Sequence, residues 1–172
     1  MLERAIISDL YAGGGVLRYH TNPVIAKLGQ CNAAHQWGCA AMILALHPDP
    51  SRNLIAEAIL HDAGELDCGD MSGPYKRGNP EFAQMMADAE ERARQRIGAP
   101  AFDLTDEEHE WLNFVDKMEC VLHIRLYLPH LIHSDRAWHD LADRCLECAS
   151  GLGCWSKGLE EALMGHDHLY MG

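Results

Sequence analysis

The sequence of 172 residues lacks the features that membrane-spanning and nucleic-acid-binding proteins need. No apolar run approaches the roughly 18 residues of a membrane-spanning helix, and no basic cluster is larger than Lys76-Arg77. Acidic residues outnumber basic ones by 26 to 14, and the formal charge of −12 repels a nucleic-acid backbone. We therefore expect neither a membrane nor a nucleic-acid polymer as partner. A small anionic substrate stays open, because a metal ion and a few placed cations can reverse the local field.

An export signal is also missing. Residues 1–10, MLERAIISDL, carry charges among their apolar positions and lack both an uninterrupted hydrophobic region and a small-residue cleavage site. The seven cysteines are an odd number scattered through apolar segments, which is typical of reduced thiols. These features predict a cytoplasmic protein, and the length predicts a single domain over residues 1–172.

Three of the cysteines leave a second interpretation open. Cys145 and Cys148 form a C-x-x-C pair, and Cys154 follows closely, so structural zinc or a disulfide is one possibility. The alternative is that residues 145 and 148 share one face of a predicted helix and serve as small core side chains.

The predicted fold is all-α, a compact helical bundle. Apolar residues recur at spacings of three and four, whereas the period-2 alternation of strands is absent. Asn32, Ser51 and Ser134 are predicted N-caps, and residues 105–108 read as a capping box. The predicted helices contain residues 2–12, 33–47, 52–65, 80–97, 111–128, 137–150 and 157–170. Residues 66–80, rich in glycine and proline, are predicted to form a long loop.

The dipeptide His-Asp occurs three times, so the dipeptide alone decides nothing. Residues 61–62 follow the apolar run AEAIL, which places both side chains at the edge of the core beside the long loop. Residues 139–140 lie among charges and residues 166–167 lie near the C-terminus, where solvated surface is the simpler interpretation. We therefore take His61-Asp62 as the functional pair.

Two acidic residues accompany this pair. Glu65 follows His61 by four residues, a spacing that puts both on one helical face, so Glu65 is a candidate to deprotonate water while His61 binds a metal. Asp70 lies in the adjoining loop and is a second catalytic candidate. It positions Glu65, a histidine of the site or the substrate sugar, and the sequence does not choose among these.

Further ligands have to come from other helices. His35 and Asp116 are each an isolated polar residue in an apolar helical stretch. Taken singly, His35 can be a hydrogen-bonded core histidine and Asp116 a buried partner of a basic group. Together with His61 and Asp62 they form a set of two imidazoles and two carboxylates, which accepts zinc, cobalt or manganese as well as iron or nickel.

The order H…HD…D on separate helices resembles the HD superfamily of metal-dependent phosphohydrolases. The stretch HDAGELDCGDMSGPYK (61–76) is similar to the HDxxE-x(3)-GD-x-x-x-P-x-K signature of the compact branch that contains bacterial 5′-deoxynucleotidases and phage deoxynucleotide triphosphohydrolases. Arg18-Tyr19 resembles the Arg-aromatic segment of that branch. Relatives commonly carry an acidic residue before the first histidine, where this chain has Ala34, so the sequence does not identify what supports His35.

The resemblance implies a role for each site residue. One divalent transition metal is bound by His35, His61, Asp62 and Asp116, while Glu65 aligns the attacking water and Asp70 contacts the 3′ hydroxyl. A second divalent ion on the substrate phosphates is an additional possibility. The implied substrate-binding residues are Arg18 and Lys76 for phosphate, Tyr19 for the deoxyribose, and Thr21 and Pro74 beside adenine.

The implied activity is hydrolysis of a deoxynucleotide by attack of water at the α-phosphorus. The short chain and the segment RYHTNP resemble phage dATP triphosphohydrolases, so the expected products are deoxyadenosine and triphosphate, in a bacterium or a phage-infected host. The first alternative is a 5′-deoxynucleotidase that acts on monophosphates. The second, of another class, is a regulatory module that binds nucleotide without turnover.

A homo-oligomer, dimeric or hexameric, is also expected. The segment after Asp116 carries more apolar residues than one small core obviously requires. They are Leu122, Ile124, Leu126, Leu128, Leu131 and Ile132.

Overall fold

The structure, a computed structural model, describes residues 4–165. Within that range the chain forms α-helices and two short 3₁₀ helices, Ile25–Leu28 and Ala63–Leu66, with one isolated β-bridge and no strand. The α-helices are α1 (Arg4–Gly13), α2 (Asn32–Leu46), α3 (Arg52–Leu60), α4 (Gly73–Gly78), α5 (Pro80–Arg96), α6 (Asp106–Tyr127), α7 (His130–Ser134), α8 (Arg136–Gly151) and α9 (Lys157–Met164). The all-α prediction is confirmed.

Helices α2 and α6 form the centre of the bundle. Helix α2 packs against α3 and α6, and α7, α8 and α9 pack on α6. Their shared core contains fully buried apolar side chains, among them Ile43, Leu54, Phe114, Val115 and Ile124. Burial of such side chains stabilises the fold by about 1.5–3 kcal/mol each, so a polar side chain on α2 or α6 is held by a well-packed element.

The helix starts follow the predicted caps in two cases. The Ser51 hydroxyl accepts a hydrogen bond from the Leu54 amide, and Thr105 forms a reciprocal capping box with Glu108. Asn32 and Ser134 were predicted wrongly. Cys31 occupies the N-cap position of α2 and Asn32 is the first helical residue, while Asp135 caps α8 and Ser134 ends α7.

The segment from residue 61 to residue 80 differs most from prediction. Helix α3 ends at Leu60, and its C-cap is His61, so the predicted helix through residue 65 is too long. A 3₁₀ helix, Ala63–Leu66, follows and packs against α5. The predicted loop 66–80 contains the short helix α4, which has Pro74 in its first turn. Proline favours a helix start, and the glycines around it hid this short helix from a periodicity argument.

The C-terminal helices also correct two expectations. Ile124 and Ile132 are fully buried, so they are core residues and do not form an exposed apolar surface, whereas Leu126 is 52% exposed. Cys145 is buried but Cys148 is exposed, so the two do not serve the core together. All seven cysteines are free, and none of the metal-ligand clusters found in residues 4–165 contains Cys145, Cys148 or Cys154.

None of the helices in the described range combines the length and the apolar character that crossing a bilayer requires. The last predicted helix is observed as α9 and ends at Met164. The dipeptide His166-Asp167 lies outside the described residues. The pair His139-Asp140 lies on α8 with side chains 44% and 47% exposed, as expected of solvated surface.

Candidate metal-dependent active site

The four predicted metal ligands lie together, although they come from three different parts of the chain. The Nε2 atom of His35, on α2, lies 3.1 Å from Oδ1 of Asp116, on α6, and 3.6 Å from Oδ2 of Asp62. Nε2 of His61, at the end of α3, lies 3.4 Å from the same Asp62 oxygen. These contacts link the four side chains around one point, next to Nε2 of His35 and the carboxylate of Asp62.

Both imidazole rings turn Nε2 towards this point. Nδ1 of His61 lies 3.0 Å from the carbonyl oxygen of Ala58 and donates its proton there, which leaves a lone pair on Nε2. That Nε2 is buried and has no hydrogen-bond partner within residues 4–165. Nδ1 of His35 contacts the carboxylate of Glu119. A divalent transition metal fits this donor set, because it would bind the free His61 nitrogen and offset the two carboxylates.

The charges around the point already compensate one another. Burial raises the pKa of Asp116, but its hydrogen bond to His35 and the positive charges nearby outweigh this and bring the pKa to about 2. Burial lowers the pKa of His35, and its hydrogen bonds, first of all to Asp116, raise the pKa well above its ordinary value. The carboxylates thus attract positive charge to the position between the imidazoles.

Arg18 reaches the same place from the segment before α2. Its Nη1 donates to Oδ2 of Asp62 at 2.7 Å, and its Nη2 lies 3.5 Å from Sγ of Cys120. The side chain is buried, and in the part of the chain that the structure describes its Nε has no hydrogen-bond partner. A buried guanidinium next to an acidic cluster is a fixed positive charge, which suits the recognition of phosphate.

Glu65 lies next to the ligands, but not for the predicted reason. Because α3 ends at Leu60, Glu65 and His61 do not share a helical face. The carboxylate is held by Asn32, whose Nδ2 donates to Oε2 of Glu65 at 2.9 Å and lies 3.2 Å from the carbonyl oxygen of Asp62. Burial, and secondly the charge of Asp62, raise the pKa of Glu65 to about 8. A carboxylate with a raised pKa is a better proton acceptor from water than an ordinary one.

The side chain of Asp70 contacts the backbone of Tyr19. Oδ2 of Asp70 accepts a hydrogen bond from the amide of Tyr19 at 2.6 Å. Tyr19 has a φ of 56°, a left-handed conformation that is rare and strained for a side chain of its size. The ring stacks on His123 at a centroid distance of 6.1 Å and meets Trp138 edge-on at 6.3 Å. Asp70 therefore fixes the segment that carries Arg18 and Tyr19.

The other three predicted substrate residues have different surroundings. Thr21 is exposed and lines an open cleft of about 500 Å³ together with Met71, Ser72, Tyr75 and Phe82. Pro74, exposed in the first turn of α4, is not among the residues that line this cleft. Nζ of Lys76 lies 2.9 Å from Oε1 of Glu90 and thus has an acidic partner within the chain.

Several side chains at the site escaped the sequence analysis. Cys39 and Cys120 each lie within 4.8 Å of two proposed ligands, Cys39 in a cluster with His35 and His61 and Cys120 in a cluster with His35 and Asp116. Helical spacing was the available signal, since Cys39 follows His35 by four residues and Cys120 follows Asp116 by four. Asn32 and Glu119 carried no such signal towards the partners they contact, because those partners lie on distant parts of the chain.

A His-Asp pair at the end of one helix, joined by a histidine and an aspartate from two others in an all-helical bundle, is the arrangement on which the resemblance to HD-domain phosphohydrolases rests. Residues 39–120 match the sequence model of a family described as 5′-deoxynucleotidase YfbR-like. The matched segment includes His61, Asp62 and Asp116 and begins four residues after His35. No curated protein and no solved structure matches the chain significantly.

The family match bears on the choice of substrate. Its description names a 5′-deoxynucleotidase, not a triphosphohydrolase. The comparison therefore favours the monophosphatase alternative over the dATP triphosphohydrolase that the short chain and the segment RYHTNP suggested. The resemblance to phage triphosphohydrolases has no support from it.

Proposed function

We propose that this protein is a metal-dependent 5′-deoxynucleotidase, which hydrolyses deoxynucleoside 5′-monophosphates to the deoxynucleoside and phosphate. The observation that carries the proposal is the set of contacts that joins His61 to Asp62, Asp62 to His35 and His35 to Asp116, with the buried Nε2 of His61 lacking a hydrogen-bond partner among the described residues. The match of residues 39–120 to a 5′-deoxynucleotidase family supports the choice of a monophosphate substrate.

In this proposal the four residues hold one divalent transition metal. Such an ion supplies Lewis acidity, which lowers the pKa of water and withdraws charge from a phosphoryl oxygen. The mixture of nitrogen and oxygen donors suits zinc, cobalt or manganese. The ion identity then depends on coordination geometry and on the metal available.

The remaining charged groups perform the proton and phosphate steps. Glu65, oriented by Asn32, accepts a proton from the water that attacks phosphorus. The oxygen of water bonds to phosphorus as the bond from phosphorus to the 5′ oxygen breaks. The leaving alkoxide takes up a proton from solvent, and Glu65 returns the proton that it accepted to solvent. Arg18 donates hydrogen bonds to the phosphoryl oxygens as their charge increases. The ammonium group of Lys76 leaves the carboxylate of Glu90 and binds the substrate phosphate, which then has a second cation beside it.

The nucleoside binds on the side of the metal where Tyr19 and Thr21 lie. Tyr19, whose amide is held by Asp70, borders the sugar in this proposal and favours deoxyribose by crowding C2′, as the family resemblance implies. The open cleft at Thr21 receives the base, where Tyr75 and Phe82 offer aromatic surface. An open cleft of this kind accepts different bases, because stacking is possible with each of them.

The test is a substrate assay on purified protein loaded separately with Zn²⁺, Co²⁺ or Mn²⁺. Deoxynucleoside 5′-monophosphates, AMP, 3′-dAMP and dATP are compared, and the products are separated by chromatography. We expect deoxynucleoside and inorganic phosphate from the 5′-deoxynucleotides and much slower turnover of AMP. The Asp116→Asn variant, which removes a proposed ligand, is the matched control and is expected to be inactive.

Two results would overturn the proposal in different ways. Release of triphosphate from dATP, with no turnover of dAMP, would restore the triphosphohydrolase interpretation. Tight binding of metal and nucleotide without hydrolysis of any compound in the set would indicate a regulatory module.

A further inference from the structure

The two imidazoles that face the metal position are supported by different kinds of group. His61 donates its Nδ1 proton to the neutral carbonyl of Ala58, within its own helix. His35 contacts a carboxylate, that of Glu119, which lies one helical turn after Asp116 on α6. No supporting group for His35 was evident from its neighbours in the chain, since Ala34 precedes it.

Glu119 is itself held in place. The residue is only 9% exposed. One of its carboxylate oxygens accepts a hydrogen bond from Nε2 of Gln30 at 2.7 Å, and the other contacts Nδ1 of His35. Gln30 is buried as well, and its backbone carbonyl oxygen accepts a hydrogen bond from the backbone amide of Arg18 at 2.9 Å. A chain of contacts thus runs from Arg18 through Gln30 and Glu119 to His35.

Space for this carboxylate comes from a glycine in α2. A Cβ placed on Gly38 would lie 2.7 Å from Cγ of Glu119, which is closer than non-bonded carbon atoms approach each other in a folded protein. Gly38 therefore lets α6 bring Glu119 against α2 at the level of His35. Glycine in the middle of a helix is disfavoured by about 0.5–1 kcal/mol relative to alanine, and here it provides room for a buried acid.

We propose that Glu119 is a positioning residue for the metal centre: it accepts the Nδ1 proton of His35, fixes the tautomer whose Nε2 carries a lone pair, and thereby increases metal affinity. The inference rests on the metal site of the proposed function and adds to it a residue that touches neither metal nor substrate. A carboxylate behind a ligating histidine also makes its nitrogen a stronger donor. Loss of such a partner lowers metal affinity by about 10–100-fold.

The test compares wild type with Glu119→Gln and with a matched control, Glu57→Gln. Glu57 is also 9% exposed and pairs with Arg94 at 2.6 Å, so both substitutions remove a buried carboxylate. Dissociation constants for Co²⁺ and Zn²⁺ are measured by competition with a chromogenic chelator, and folding is checked by circular dichroism. We expect about 10–100-fold weaker binding for Glu119→Gln and an unchanged constant for Glu57→Gln.

Two further measurements separate positioning from a structural role. The visible absorption bands of the Co²⁺ protein should shift in Glu119→Gln and stay as in wild type in Glu57→Gln. In Gly38→Ala the acid is retained but displaced, so metal affinity should fall in the same direction. Nitrogen-15 NMR of the Zn²⁺-loaded wild type should place the proton of His35 on Nδ1, a result that does not require any variant to fold.

The inference is overturned if folded Glu119→Gln binds both metals as tightly as wild type, or if His35 carries its proton on Nε2 in the Zn²⁺ form. Failure of the proposed function has a different signature in wild type itself, which would then bind neither metal or would bind metal without hydrolysing deoxynucleoside monophosphates. Wild type that binds metal and hydrolyses deoxynucleotides, beside an unaffected Glu119→Gln, would contradict only the role of Glu119.

Discussion

Glu65 and Asn32 lie 33 positions apart in the chain and 2.9 Å apart in the fold. Asn32 is fully buried, and its amide donates to the Glu65 carboxylate and reaches the carbonyl oxygen of Asp62. The contact fixes a buried acid beside the metal position without adding charge. At the residue scale, the site therefore contains the groups proposed to carry the chemistry and further side chains, such as the neutral Asn32, that orient them.

Replacing Glu65 by glutamine tests its role as the proton acceptor. We expect kcat to fall by about 10²–10⁴-fold, because general base catalysis contributes on that order, while the bound metal per chain stays unchanged. The measurement pairs a steady-state assay with elemental analysis. Glu110→Gln, on an exposed position of α6, is the control and should behave as wild type. Full activity in Glu65→Gln would mean that another group takes the proton.

Replacing Asp70 by alanine tests how the Arg18-Tyr19 segment is held. The left-handed backbone of Tyr19 loses the hydrogen bond from its amide to Asp70, so we expect KM for dAMP to rise about tenfold, equivalent to ~1.4 kcal/mol. Asp67→Ala is the control, since Asp67 pairs with Arg96 at the surface. Equal KM values for the two variants would show that Asp70 does not order this segment.

The candidate ligands could be picked out from the sequence, but the side chains that contact them could not. His35 and Asp116 interrupt apolar helical stretches, and a polar residue in such a place invites a functional explanation. Asn32 was instead taken as a helix cap, because asparagine before an apolar run is typical of that position. Glu119 gave no signal, since its partner lies 84 positions away. Local pattern locates a group but not the distant side chain that orients it.

The ends of the helices show the same limit at the scale of elements. Long helices followed from apolar spacing, and Thr105 with Glu108 opened α6 as predicted. The structure of the segment after Leu60 was not predicted correctly, because a 3₁₀ helix of four residues and an α-helix of six are too short to display a period. Ser134 failed as a predicted cap because the next residue, Asp135, is an equally good one.

Thr105, which caps α6, and Ser134, which ends α7 and caps no helix, give a matched test of capping. Thr105→Ala should lower the free energy of unfolding by about 1 kcal/mol, whereas Ser134→Ala should change it by less than about 0.5 kcal/mol. The Ser51 hydroxyl lowers the pKa of Glu108, so the contribution of Glu108 is present above its unfolded-state pKa and is lost as the pH falls through the folded value. Denaturant unfolding at neutral and acid pH measures both effects, and equal losses in the two variants would contradict the assignment.

Close packing of the 3₁₀ helix Ala63–Leu66 on α5 gives a second test at this scale. A Cβ on Gly64 would lie 2.2 Å from the backbone oxygen of Glu90, so Gly64→Ala must push the two elements apart. We expect a loss of stability of about 1–3 kcal/mol and weaker metal binding, because Asp62 and Glu65 flank this glycine. Gly78→Ala, where no atom lies within 4 Å of the added Cβ, is the control. Unchanged unfolding of Gly64→Ala would show that the contact with α5 relaxes freely.

At the scale of the whole molecule, the site places Asp62, Glu65 and Asp116 together in a chain whose formal charge is already −12. Burial first, and then the charge of Asp62, raise the pKa of Glu65, so the ionised form of this acid opposes folding. In the proposed function, a divalent ion would bind only the folded chain, offset this repulsion and join α2, α6 and the end of α3. Metal binding and global stability are therefore coupled.

This coupling predicts the thermal behaviour of the protein. Free Zn²⁺ or Co²⁺ at 100 times its dissociation constant should stabilise the fold by about 2.7 kcal/mol, which for a chain of this size raises Tm by about 5–11 °C. Calorimetry of chelator-treated protein, with and without added ion, measures the shift. Mg²⁺ at the same concentration should raise Tm much less, since it prefers oxygen ligands in an octahedral shell, and Asp116→Asn should reduce the response to Zn²⁺. Equal shifts with Mg²⁺ and Zn²⁺ would mean that the histidines do not bind the ion and that stabilisation comes from screening of the acidic surface alone.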